Sequence, residues 1–110
     1  MASNPMGFCE LYREFLVDAR LTLTALARAR ALQQSDEFRN KAHYLKSSSS
    51  VLGARRLAEI CAELEELGRS SNLNGADQKL AQAAEMLAQT QGELVQRLGT
   101  SVVPAVTPAA

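Results

Sequence analysis

The chain holds one histidine, His43, and no side chain in it is better suited to chemistry. An imidazole changes charge near neutral pH and can act as a nucleophile, a proton shuttle or a metal ligand. On a helix with Ala42 and Leu45 facing inward, His43 would point outward, with Lys46 and Ser47 one turn on and Ser50 a turn beyond. Those four residues would share one solvent-facing strip. The remaining neighbours one turn away are Arg39 and Asn40, so this helix supplies no acid to orient the ring as a general base. Charge around the strip is uneven. Arg39, Lys41, Lys46, Arg55 and Arg56 fall in a stretch without acids, and Glu59, Glu63, Glu65 and Glu66 in one without bases.

Metal chemistry finds no support. Cys9 and Cys61 lie far apart with no second cysteine or histidine near either, whereas a metal site needs three or four ligands at short spacings. Cys61 falls at helical spacing with Leu57 and Leu64 and reads as a small buried thiol. A reducing, cytoplasmic compartment fits that usage.

The elements that must position the strip are helical. The 110 residues suffice for one domain, and 18 Ala with 16 Leu favour helices. Pro5, Pro104 and Pro108 stand at the ends, leaving the interior free of helix breakers. Twelve Lys and Arg balance twelve Asp and Glu, which argues against a nucleic-acid partner. No apolar run approaches the ~20 residues of a membrane span, so no membrane insertion is expected. The first residues also lack the layout of a signal peptide.

Four helices are expected. The first runs from about Asn4-Pro5 to Gln33 and buries Phe8, Leu11, Phe15, Ala19, Thr22 and Leu26; a short leading helix ahead of a longer one is an open alternative. Ser35 caps the second, with Asp36 and Glu37 in its first turn, and Phe38, Ala42, Leu45, Ser49 and Leu52 face the core. Gly53 interrupts. The third buries Leu57, Ile60, Cys61, Leu64 and Leu67 until Gly68 ends it. Residues 70–75 form a loop, and the fourth helix starts near Asp77 and buries Leu80, Ala84, Leu87, Leu94 and Leu98. Amphipathic helices on short loops pack as an antiparallel four-helix bundle, an all-α fold. Residues 1–7 are expected to form an N-terminal arm, 8–99 the bundle and 100–110 a disordered tail.

Ala42-His43-Tyr44-Leu45-Lys46-Ser47-Ser48-Ser49-Ser50-Val51-Leu52-Gly53-Ala54, followed by Leu57, Cys61, Leu64 and Glu65, closely resembles the histidine-containing phosphotransfer (HPt) domain family. That family's motif runs roughly A-H-x-L-K-G-S-S-x-x-L-G-A, then L-x-x-x-C-x-x-L-E. One departure is Ser47, where the family most often has glycine. The resemblance implies a four-helix bundle in which His43 takes a phosphoryl group from a receiver aspartyl phosphate, through the distal nitrogen Nε2, and passes it to another receiver aspartate. It further implies electrostatic support from Lys46 and a basic residue, Arg69, near the histidine.

A phosphocarrier of this kind has no autonomous catalysis and no cofactor of its own. The divalent cation that phosphoryl transfer calls for, Mg, is expected on the receiver partner, because no carboxylate cluster near His43 is apparent. Expected partners are receiver domains of response regulators, a hybrid histidine kinase, or both. Ser47, Ser50, Tyr44, Arg55 and Arg69 are the docking candidates, with Val51 as further apolar surface; for Tyr44 and Val51 ordinary packing against a neighbouring helix competes. Glu59, Glu63 and Glu66 read as a solvated face. Two other readings stay open: a degenerate HPt-like interaction module that binds a receiver or kinase without carrying phosphate, and a small-substrate enzyme, which would need a cleft and an acid beside His43.

Overall fold

The computed structural model describes residues 5–98, and within them the side chains of 5–9, 94, 95, 97 and 98 are not described. Four helices follow one another: α1 (Pro5–Ala31), α2 (Ser35–Val51), α3 (Arg55–Arg69) and α4 (Ala76–Leu98). The first is continuous from Pro5, so among the described residues α1 is one helix without a separate leading segment, and residues 5–7 of the expected arm belong to it. The expected tail at 100–110 lies outside the described residues, as do the side chains of Phe8, Leu94 and Leu98.

Cross-helix contacts fix the topology. Tyr12 donates to the Leu52 carbonyl and Tyr44 to Asp18, so α1 and α2 run antiparallel. Glu63 pairs with Lys79 across α3 and α4, and Arg30 with Asp77 across α1 and α4. Each helix packs on two neighbours, and α1 closes the ring against α4. The result is an antiparallel four-helix bundle.

Its core is built from Phe15, Leu16, Ala19, Leu26, Phe38, Ala42, Leu45, Leu57, Cys61, Leu64, Ala83 and Leu87, among others. Leu11 is half-exposed rather than buried. On α4 the buried face runs through Ala76, Ala83 and Leu87, so Ala84, expected inside, is exposed; alanine stands at both positions, and the register is set by Leu80 and Leu87. Burial pushes the Cys61 thiol pKa up to about 12, which leaves it an unreactive core side chain.

Helix ends depart from the expected capping. Ser35 is the first residue of α2 rather than its cap; Gln34 holds the cap position without a side-chain hydrogen bond. The α1 terminus reaches Gln33 in a left-handed conformation, and Gln34 N–H closes it by bonding back to the Ala29 carbonyl. Gly53 closes α2 in the same way at φ +79, where glycine carries no Cβ penalty.

Gly68 does not end α3. It lies buried inside the helix, and a Cβ added there would stand 2.8 Å from Cβ and 2.9 Å from Cα and N of Arg39 on α2. Glycine is present because two backbones touch, not because a turn is needed. Gly68→Ala therefore loses about 1–2 kcal/mol of stability, overpacking against backbone outweighing the gain in helix propensity. A lowered denaturant midpoint at unchanged slope is the measurement that checks it.

Ser49 is fully buried on α2, and its Oγ has no hydrogen-bond partner among the described residues. Thr22, nearly as buried, bonds back to the Asp18 carbonyl instead. An unsatisfied buried hydroxyl costs about 1–3 kcal/mol, and alanine is the better helix former. Ser49→Ala should raise stability by about 1 kcal/mol in urea melts.

Candidate functional site

α2 presents His43 on its outer side because Phe38, Ala42, Leu45 and Ser49 take the inner one. The ring is 60% exposed. Its Nδ1 lies 3.0 Å from Oε2 of Glu65, which reaches across from α3. Glu65 itself is only 10% exposed, because it stands one turn after Cys61 on the apolar stripe of α3. Its other oxygen, Oε1, accepts from Lys46 Nζ at 2.7 Å. Arg69, one turn on along α3, approaches Oε2 at 3.6 Å and Glu66 at 3.8 Å.

Three side chains thus converge on one carboxylate. The hydrogen bond from Lys46 is the main force holding the Glu65 carboxyl below its ordinary pKa; partial burial opposes it, and the bond from His43 adds to it. A carboxylate only accepts hydrogen bonds, so Nδ1–H of His43 is the donor to Glu65, which selects the Nδ1–H tautomer whenever the ring is neutral. Nε2 then carries the free lone pair on an exposed ring. Chemically, this is an oriented imidazole exposed on the outer side of α2.

The acid that α2 itself lacks is supplied by α3, a neighbour the reading along one helix did not include. Periodicity contained the signal, since Glu65 extends the row formed by Leu57, Cys61 and Leu64, and an acid on a buried stripe needs a partner. Lys46, expected to give electrostatic support, is paired with Glu65.

The remaining candidates divide into two sides. Ser50, Lys46 and Arg55 border one surface groove between α2 and α3. Ser47 is exposed one turn beyond His43. Tyr44 turns towards α1, where its hydroxyl donates to Asp18 and borders a second groove with Leu21; the Asp18 carboxylate pushes the tyrosine pKa up. Val51 is 83% exposed and packs on no neighbouring helix to any extent. Of the acids expected to form a solvated face, Glu63 is tied to Lys79 and Glu66 to Arg69, while Glu59 is exposed.

Among the described residues, no group of three or more His, Cys, Asp and Glu side chains is placed to hold a metal ion, and no helix is long and apolar enough to cross a membrane. In comparisons with known proteins, the family model of the Hpt domain matches residues 10–93. Neither curated proteins nor solved structures yield a match.

Proposed function

Because this chain belongs to the Hpt domain family, phosphotransfer modules of two-component signalling, we propose that it is a phosphocarrier that accepts and donates a phosphoryl group at His43. One observation carries this reading: Nδ1 is committed to Glu65, so the exposed ring offers Nε2 as its nucleophile.

Transfer then proceeds in line. The Nε2 lone pair attacks the phosphorus of a receiver's aspartyl phosphate, an N–P bond forms, and the aspartyl oxygen leaves with the electron pair of the broken P–O bond. Positive charge growing on the ring is met through Nδ1–H by the Glu65 carboxylate. Lys46 keeps that carboxylate ionised, and Arg69 approaches it at 3.6 Å. The reverse step delivers the phosphoryl group to another receiver aspartate.

No step requires a group on this chain beyond the imidazole and its supports. The divalent cation is expected on the receiver, so the active site is completed across the interface, and a cytoplasmic setting suits such partners. Ser50, Arg55 and Ser47 lie on the side of α2 from which a receiver would approach, with Tyr44 on the flank towards α1.

The test is transfer from a radiolabelled, phosphorylated receiver of the source organism. Acid-labile, base-stable label that peptide mapping assigns to His43 supports the carrier. Receiver binding without label establishes the non-carrying interaction module instead.

A further inference from the structure

Three bases lie on α2, and two are already engaged. Lys46 is paired with Glu65 at 2.7 Å and Lys41 with Glu37 at 3.8 Å. Arg39 is exposed, and among the described residues its guanidinium has no ion-pair partner. It precedes His43 by four residues, so the two are neighbours on the helix surface, with Cβ atoms roughly 5–6 Å apart.

Both residues also face α3. His43 is bonded to Glu65, and the backbone and Cβ of Arg39 rest on Gly68. In an antiparallel pair these are successive rungs of one ladder. Helical side chains lean towards the N-terminus, which brings the His43 ring over the turn that holds Arg39.

A phosphoryl group adds roughly two negative charges at neutral pH. Among the described residues, the only acid touching the ring is Glu65, whose charge Lys46 and Arg69 already balance. We propose that Arg39 is the phosphoryl-binding residue of this domain, its guanidinium fork holding the oxygens of the group carried on His43 Nε2. The planar fork suits a phosphoryl group bidentately, which a lysine does as a point charge only. Arg39 neither gains nor loses a proton in the transfer. Its positive charge faces the oxygens of the incoming phosphoryl group, while the departing aspartyl carboxylate keeps the electron pair of the broken P–O bond. This inference rests on the carrier reading.

The experiment loads His43 from phosphoramidate, a donor that needs no receiver: its N–P bond breaks, ammonia leaves, and the N–P bond to Nε2 forms. The ³¹P signal of the loaded protein is then titrated in wild type, Arg39→Gln and Arg39→Lys. Both variants keep the stem that rests on Gly68, and thermal melts confirm the fold. Arg39→Gln is expected to raise the pH at which the dianionic phosphoryl group takes up a proton by about half a unit or more, with Arg39→Lys restoring part of the shift. Lys46, Glu65, Glu66 and Arg69, the other charges around the ring, are unchanged in every arm. Acceptance from a receiver should slow about tenfold in Arg39→Gln. Superimposable titrations in wild type and Arg39→Gln overturn the role of Arg39 and leave the carrier standing. A wild-type chain that takes no phosphoryl group from either donor overturns both.

Discussion

Replacing His43 with glutamine abolishes phosphoryl acceptance and leaves the bundle standing. Glutamine offers no nucleophilic nitrogen, because its amide lone pair is delocalised, so label should fall to background rather than to a fraction. Stability should change by less than about 0.5 kcal/mol, the usual range for a surface substitution. The ring is 60% exposed, and the glutamine amide can still donate to Glu65. Transfer assays beside denaturant melts check both halves. Undiminished label on the variant would move the acceptor elsewhere and end the carrier reading.

Glu65→Ala lowers the rate of acceptance by about ten- to a hundredfold, the size of effect that follows loss of a carboxylate orienting an imidazole. Three consequences combine. Nδ1 loses its acceptor, so the proton is free to sit on Nε2 and block the lone pair. The ring loses the partner that fixes its plane. Lys46 and Arg69 lose their shared counter-charge and oppose the positive charge that develops on the ring. Glu65→Gln should fall between, since its one carbonyl oxygen can serve His43 or Lys46 but not both. Single-turnover transfer kinetics separate the three proteins.

The same residue gives a pH signature. Glu65 has its pKa lowered in the fold, so its contribution is complete above the ordinary carboxylate range and is lost as pH falls through the lowered value. The stability difference between wild type and Glu65→Ala should therefore hold at neutral pH and vanish on acidification below ~4.3. Melts across that range would show it; a difference that persisted in strong acid would mean that packing, not charge, makes Glu65 matter.

Much of this was legible in the residues because helices encode themselves locally. Spacings of three and four gave the buried faces of α2 and α3, and outward placement of His43 follows from inward placement of Ala42 and Leu45. What escaped was carried by contacts between helices. Glu65 lies 22 positions from His43, and only the crossing of α2 and α3 brings them together. Gly68 reads as a terminator in a linear chain, yet its role is set by Arg39 on another helix. Local chemistry also misled where alternatives were equal. Ala83 and Ala84 differ in burial without differing in type, and Ser35 is a good cap in principle but sits one residue late.

The glycine contact between α2 and α3 has a further consequence, in time rather than in space. Acceptor and orienting acid come from different helices, and the distance between them is set by two backbones in contact at Gly68 and Arg39. A chain still emerging from the ribosome, or one whose third helix has peeled away, carries an imidazole no different from that of a free peptide. It would drain little phosphate from a receiver. On the carrier reading, acceptance would therefore depend on the packed pair of α2 and α3.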